Sequence, residues 1–392
     1  ITFTIPSESR RILTEGNYQY YLNKNGDVVI NRYSGKERNV TIPEKLGGAT
    51  VTTIGYDAFI ANDYINTVSI PDTVTHIQSS AFASCEGLVT VDLSSNLKSI
   101  GYEAFERCYA LRSITIPEGV TTLASMTFFD CENLRSVQAK GVTKILYDAF
   151  SLCSSVCEAE FSDELNYVGS GAFSSCESLA YFPYDKNLTY IGESAFYGTA
   201  IKHFEFNDAI KEINDKAFNW CEFLETVIFP SNLERIGAYA FHSCENLKEI
   251  NLLDTVTTIG ARAFEYCRSL EGTLTIPESL TTLGRESFKE TGFVALDYNA
   301  ISMHYTSALN FLPFTTVNFG SKVTRIPATL LYGCTEIEHI TLPETVKSIG
   351  NGAFGSCKKL KSINLPDGLT TIGTGSFFDC ESLESLELPD GL

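Results

Sequence analysis

The sequence contains very little tryptophan, methionine or histidine and has no long apolar run. Its 392 residues include one Trp, two Met and five His. No stretch approaches the roughly 20 consecutive apolar residues of a membrane-spanning helix, so no membrane span is predicted. The histidines lie on different repeats and do not predict a shared metal site; they are His76, His203, His242, His304 and His339.

Positive charge is also scarce. There are 29 Lys and Arg residues against 48 Asp and Glu residues, which gives a formal net charge of −19. Proteins that bind nucleic acid present a basic face to the phosphates, and no basic cluster occurs here. Nucleic acid is therefore not an expected partner. With 44% hydrophobic residues, the composition is that of a globular chain.

Catalytic signatures are absent from the sequence. It contains no H-E-x-x-H, G-x-S-x-G or phosphate-loop motif, and its twelve cysteines form no C-x-x-C pair. We therefore predict no catalytic residue, no metal site and no cofactor, and we expect that the protein is not an enzyme.

What the sequence does contain is a repeat of 22 to 24 residues. Ile-Gly or an equivalent pair opens each repeat, and a phenylalanine almost always follows five residues later. The opening residues are Ile54, Ile77, Ile100, Leu123, Ile145, Val168, Ile191, Ile213, Ile236, Ile259, Leu283, Ile326, Ile349 and Ile372. A register of this length predicts a solenoid of stacked coils.

Eleven of the twelve cysteines occupy one position of the repeat, three residues after the phenylalanine or, for Cys334, after Leu331. They are Cys85, Cys108, Cys131, Cys153, Cys176, Cys221, Cys244, Cys267, Cys334, Cys357 and Cys380. One thiol per coil, pointing the same way, predicts a column of buried free thiols rather than disulfides or zinc ligands. Cys157 lies outside this column and is predicted to be partly exposed. His203 is two coils away from it, so we expect no Cys-His dyad.

Two local patterns make up each coil. In residues 100–108 the apolar positions fall at offsets 0, 4, 5 and 8, which predicts one face of a short helical turn. In residues 113–116 apolar and polar residues alternate, which predicts a half-buried strand. Pro117 then ends the strand because it has no backbone N–H to donate.

The repeat I-G-x-x-A-F-x-x-C-x-x-L-x-x-I-x-L-P resembles the leucine-rich repeats of BspA-like, or Treponema pallidum type, surface proteins. This resemblance covers about residues 50–392. It implies an α/β solenoid: a right-handed superhelix of about 14 to 15 coils, with short parallel strands on the concave face and helical turns on the convex face.

We predict two regions. Residues 1–50 form an N-terminal cap with a β-hairpin turning at Asn25-Gly26, and residues 51–392 form the solenoid. The step of 43 residues from Leu283 to Ile326 leaves two interpretations of about residues 289–325, a degenerate coil or a protruding insertion. The sequence stops at "LPDGL", where another repeat would begin, so further chain is expected downstream.

The candidate binding surface is the outward row of the strands. Most of its residues are small or polar, but the middle coils differ, which predicts a partner-binding patch about 15 Å across. Its members are Glu158, Glu160, Tyr181, His203, Glu205 and Ile228. Ordinary variation of surface positions would also explain this departure.

The resemblance implies a monomeric adhesion protein, displayed on a bacterial cell surface or secreted after removal of a signal peptide. The partners it implies are host matrix proteins such as fibronectin or fibrinogen, or other cell-surface proteins. A glycan-binding surface module and a structural spacer that presents another domain remain as alternatives.

Overall fold

A computed structural model describes residues 11–182 and 187–392. Residues 1–10 of the predicted cap lie outside this range. The chain divides into two compact units, the first ending at Thr199 and the second beginning at Ala200. Each unit is a stack of coils joined by parallel strands. The predicted solenoid of stacked parallel strands, about 15 turns in all, is confirmed.

The first unit opens with a small mixed sheet. Its strands include β1 (Leu13–Glu15), β2 (Tyr18–Leu22), β3 (Val28–Tyr33), β5 (Lys45–Leu46) and β6 (Ala49–Ile54), whereas β4 (Asn39–Thr41) belongs to a separate parallel sheet. Strands β1, β2 and β3 pair in antiparallel order, and β3 then pairs in parallel with β6. The β2–β3 turn is closed by Gly26, whose N–H donates to the Asn23 carbonyl (3.0 Å) and whose φ is 85°. This sheet leads directly into the parallel ladders.

Two rows of short parallel strands run through the coils of the first unit, and each row is divided between two sheets. One contains β4, β7 (Thr67–Ser69), β9 (Thr90–Asp92), β11 (Ser113–Thr115), β13 (Ser136–Ala139) and β15 (Glu158–Phe161). The other contains β8 (His76–Ile77), β10 (Ser99–Ile100), β12 (Thr122–Leu123), β14 (Lys144–Ile145), β16 (Tyr167–Val168) and β17 (Tyr190–Ile191). Residues that open successive repeats are register partners, as in Ile77 and Ile100.

The second unit repeats this arrangement. Its outward row is divided among three sheets and contains β18 (His203–Glu205), β20 (Thr226–Ile228), β23 (Glu271–Ile276), β25 (Gly292–Tyr298), β26 (Thr316–Phe319), β28 (His339–Thr341) and β30 (Ser362–Asn364). The repeat-opening row is divided between two sheets and contains β19 (Glu212–Ile213), β21 (Arg235–Ile236), β22 (Thr258–Ile259), β24 (Thr282–Leu283), β27 (Arg325–Ile326), β29 (Ser348–Ile349) and β31 (Thr371–Ile372).

A column of phenylalanine rings forms the core of each unit. In the first unit, rings of successive coils stack at centroid distances of 4.8 to 5.5 Å from Phe59 through Phe150. In the second unit the rings of Phe218, Phe241, Phe264 and Phe288 stack at 5.4 to 5.5 Å. These spacings match the distance between neighbouring strands, so one ring per coil fills the interior continuously.

The predicted helical turns are wrong. The described residues contain no helix, and the segment from Ile100 to Cys108 begins with a strand residue and continues as consecutive turns. Two positions in most coils have positive φ, for example Ser80 (54°) and Ser84 (56°). A right-handed helix requires φ near −63°, so these residues interrupt any helix after a few residues.

Backbone hydrogen bonds explain why the turns replace a helix. Alternate N–H groups point to the next coil: those of Ser80, Phe82 and Ser84 donate to carbonyls 22 residues onward at 2.7 to 2.8 Å. The N–H groups between them close β-turns within the coil, as from Ala83 to the Ser80 carbonyl (3.0 Å). A helix would satisfy the same donors internally but would leave the neighbouring coils unjoined on this side.

The glycine of the Ile-Gly pair permits close approach of adjacent coils. A Cβ atom added at Gly101 would lie 2.5 Å from the backbone nitrogen of Ser79, and one at Gly260 would lie 2.4 Å from that of Ala238. Real Cβ atoms do not approach backbone so closely, so glycine permits the observed approach of the coils at Gly101 and Gly260.

The cysteine column is buried, as predicted, apart from the half-buried Cys380, and no disulfide links the described cysteines. Thiols of the column donate to carbonyls of the preceding coil, as from Cys108 to Phe82 (3.3 Å) and from Cys131 to Phe105 (3.1 Å). Burial raises the pKa of the Cys85 thiol to about 12 and that of Cys108 well above its usual value. These thiols therefore act as small apolar groups with one weak donor.

Residues 289–325 contribute two strands to the second unit. Strand β25 pairs in parallel with β23 and β26. Phe293, Tyr298 and Phe314 are buried in this region, while Tyr305 and Phe311 are exposed.

The turn conformation predicts an unusual response to glycine. Replacing Ser84 with Gly should leave the free energy of unfolding unchanged or raise it by up to about 1 kcal/mol, because Gly adopts positive φ without strain. Ser84→Val should lower it by more than about 1 kcal/mol. Denaturant unfolding of both variants gives the comparison. A helix would show the reverse for glycine, a loss of about 1 kcal/mol.

The thiol column predicts selective alkylation. Iodoacetamide at pH 8 should label Cys157 first, because it is exposed, whereas buried thiols with raised pKa values supply little thiolate. Intact-mass measurement over time gives the stoichiometry, and Cys157→Ser should remove the fast-reacting group. Fast labelling of Cys108 in the folded protein would contradict the buried column.

Candidate functional site

The strand face presents side chains in straight rows. In β9, β11, β28 and β30 the central residue is buried and its two neighbours are exposed. Parallel register places equivalent residues next to each other, as in Ser113 and Ser136 or Ser136 and Glu158. Because the ladder fixes the backbone, the identity of these outward side chains determines what the face can bind.

Three predicted binding residues lie in the first unit. Glu158 and Glu160 are exposed residues of β15, and Tyr181 is 65% exposed in the next coil. Glu160 pairs with Lys140 at 3.2 Å, and both side chains are largely in solvent. Such an ion pair stabilises little, so these carboxylates stay available to a partner.

The other three predicted residues lie in the second unit. His203 and Glu205 are the exposed residues of β18, and Ile228 of β20 is the register partner of Glu205 and is 57% exposed. The His203 Nδ1 atom lies 2.7 Å from the Thr226 hydroxyl, which fixes the imidazole ring on the face. The grouping of all six residues into one patch stays a prediction.

Shallow polar hollows occur on the strand face of each unit. The hollow of the first unit has a volume of about 600 Å³ and that of the second about 580 Å³. The first is lined by residues of β9 and β11 with Ser95, Pro117 and Glu118, and the second by residues of β26 and β28 with Glu338 and Pro343. Neither hollow includes a residue of the predicted patch.

One charged cluster on the turn side was missed from the sequence. His242 in the second unit lies between Asn219 and Glu265, with Nδ1 3.2 Å from Asn219 Oδ1 and Nε2 3.4 Å from Glu265 Oε2. Glu265 is 2% exposed and also pairs with Arg262 (3.5 Å) and Lys289 (3.6 Å). The sequence did contain a signal for this cluster, because four of its residues directly follow the core phenylalanines of successive repeats. These residues are Asn219, His242, Glu265 and Lys289.

The chemistry of this cluster is structural. Burial lowers the pKa of His242, although the Glu265 carboxylate opposes the shift, so the imidazole is neutral at neutral pH. The Ser243 hydroxyl lies 3.0 Å from His242 Nδ1, a distance compatible with a nucleophile and its base. Ser243 is only 5% exposed, however, and a substrate has no approach to its oxygen. The row joins four coils through polar contacts.

Two further features concern metals and membranes. Among the residues that the structure describes, no three His, Cys, Asp or Glu side chains come together to hold a metal ion. In residues 11–182 and 187–392 no helix has the length and apolar character needed to cross a membrane.

Comparison with protein families gives a match over most of the chain. The profile of the BspA type leucine rich repeat region, six copies long, matches residues 52–180, 99–225, 168–295, 211–338 and 305–392. Comparison with curated proteins finds no match.

Comparison with solved structures finds leucine-rich repeat proteins of similar fold. A leucine-rich repeat protein from Bacteroides ovatus ATCC 8483 is 25% identical over 97% of this chain and 95% of its own, with a TM-score of 0.69. A leucine rich cell surface protein from Faecalibacterium prausnitzii A2-165 is 25% identical with the same coverage and a TM-score of 0.51. The pneumococcal vaccine antigen PcpA, at 17% identity, 93% coverage of both chains and a TM-score of 0.50, shares the fold. The chain belongs to the BspA-type leucine-rich repeat family.

Proposed function

We propose that the chain is a non-enzymatic binding protein of a bacterial cell surface that recognises host or cell-surface proteins through its strand face. The observation that carries this proposal is the exposure of Tyr181 and Ile228 beside carboxylates on a face that is otherwise small and polar. Exposed aromatic and aliphatic side chains of this kind are common at the centre of protein interfaces.

The rigidity of the ladder supports the same proposal. Outward side chains on hydrogen-bonded strands lose little backbone entropy when a partner binds, because the backbone is already ordered. His203 is held further by Thr226 at 2.7 Å. A preorganised face of this kind suits the recognition of a folded protein.

Location at the cell surface is supported by similarity. The Faecalibacterium prausnitzii relative is described as a leucine rich cell surface protein, and it aligns with 97% of this chain. The candidate partners are matrix proteins such as fibronectin and fibrinogen, and proteins of other cells. A glycan-binding module and a spacer for another domain are the alternatives that the same experiment separates.

The test is binding of the full chain to immobilised fibronectin, fibrinogen, mucin and simple glycans. Two variants address the two units separately: Tyr181→Ala for the first, and His203→Ala with Ile228→Ala for the second. We expect at least one variant to weaken binding to a protein partner tenfold or more, because truncation of a central interface residue costs about 2 kcal/mol or more.

His339→Ala is the matched control for this experiment. Its imidazole is exposed on the same row and contacts the Ser362 hydroxyl at 2.8 Å, as His203 contacts Thr226. This variant should bind like the unmodified chain. If both unit variants bind like the unmodified chain, the interface does not include Tyr181, His203 or Ile228. If the chain binds no protein, the spacer alternative is favoured.

A further inference from the structure

A row of tyrosines on the turn side of the first unit follows a two-coil period. The residue two positions after the repeat-opening residue alternates between tyrosine and serine over six consecutive coils. The order is Tyr56, Ser79, Tyr102, Ser125, Tyr147 and Ser170. An acidic residue follows each tyrosine directly, at Asp57, Glu103 and Asp148, and none follows the serines.

The backbone places these six residues in one straight row. The carbonyls of Ser79, Tyr102, Ser125, Tyr147 and Ser170 each accept an N–H from the preceding coil, at 2.8 to 3.3 Å. The core phenylalanines three residues later advance by 4.8 to 5.5 Å per coil. Tyrosines two coils apart are therefore spaced by about 10 Å.

The three tyrosine rings are in solvent, and those of Tyr102 and Tyr147 contact neighbouring side chains. Tyr56, Tyr102 and Tyr147 are 62%, 44% and 52% exposed. The Tyr102 hydroxyl lies 3.3 Å from the Met126 sulfur of the next coil. A hydrogen bond to the Glu103 carboxylate raises the pKa of Tyr102 to about 12. The Asp148 carboxylate raises the pKa of Tyr147 in the same way.

We propose that Tyr56, Tyr102 and Tyr147 form a stacking platform for an extended, uncharged β-1,4-linked polysaccharide. Sugars with equatorial substituents present flat apolar C–H faces that stack on aromatic rings. In an extended β-1,4-linked chain every second sugar has the same orientation, and this two-sugar repeat spans about the same length as two coils. Each tyrosine would therefore meet an equivalent sugar face.

The surroundings of the row specify the ligand further. Carboxylates beside each tyrosine can accept hydrogen bonds from sugar hydroxyls, and they would repel an anionic polysaccharide, as would the net charge of −19. The serines between the tyrosines leave room for the intervening sugars. An α-1,4-linked chain coils and cannot keep this spacing along a straight row.

The platform belongs to the first unit. The same position in the second unit carries no tyrosine and reads Asp215, Ala238, Ala261, Arg285, Ala328, Asn351 and Thr374. The platform lies on the turn side rather than the strand face, so this proposal does not rest on the proposed function.

The experiment is depletion of the full chain by insoluble cellulose, chitin and amylose. We expect binding to cellulose, chitin or both, competition by the matching soluble hexasaccharide, and no binding to amylose. The variant Tyr56→Ala, Tyr102→Ala, Tyr147→Ala should lose affinity at least tenfold. The control Tyr64→Ala, Tyr305→Ala removes two other exposed tyrosines and should bind normally.

A second variant tests the spacing itself. Tyr102→Ser combined with Ser125→Tyr keeps three tyrosines in the row but destroys the two-coil period, so it should also lose affinity at least tenfold. Circular dichroism confirms that both variants are folded. Absence of binding to cellulose and chitin, equal binding to amylose, or full binding by either variant would overturn the proposal.

Discussion

The hydrogen bond from a turn N–H of one coil to a carbonyl of the next is the interaction on which the rest of the structure depends. In the coil of Ser80, Phe82 and Ser84, three such bonds of 2.7 to 2.8 Å join neighbouring turns. They require positive φ at ordinary residues, which costs about 1 to 2 kcal/mol at each. The stacked phenylalanine rings and the hydrogen bonds donated by the thiols also form between neighbouring coils. The backbone strain is therefore offset only when coils are stacked.

The core was largely predictable from the sequence, and the turns were not. Phe105 and Cys108 recur in register, and periodicity alone identifies them as interior residues. Their spacing is compatible with a helix, and the residues at positive φ, such as Glu103 and Arg107, are not the glycines that usually indicate this conformation. One sequence signal for positive φ was available, which is the scarcity of β-branched residues at these positions, because such residues adopt positive φ least readily. Among the described non-glycine residues at positive φ, Thr329 is the only β-branched one.

The candidate sites were less accessible to prediction than the core. Glu158, Tyr181 and Ile228 could be assigned to the outward row because alternation fixes which side chains leave the interior. The cluster of His242 and Glu265 was missed because charged residues are not expected in an enclosed position. His242 and Glu265 meet across neighbouring coils, and a single repeat read in isolation does not contain the pair.

A fixed coil spacing gives the two sides of the first unit different binding abilities. On the strand face, small polar residues recur, and we propose that an unusual exposed residue such as Tyr181 belongs to a local site for a globular partner. On the turn side, the alternation of Tyr102 and Tyr147 with serine keeps a constant distance along the stack. A periodic surface of that kind gains affinity from a periodic ligand, because each added repeat of the ligand meets the same contact again. The same backbone bonds that hold the coils together therefore set the length scale of what the turn side can recognise.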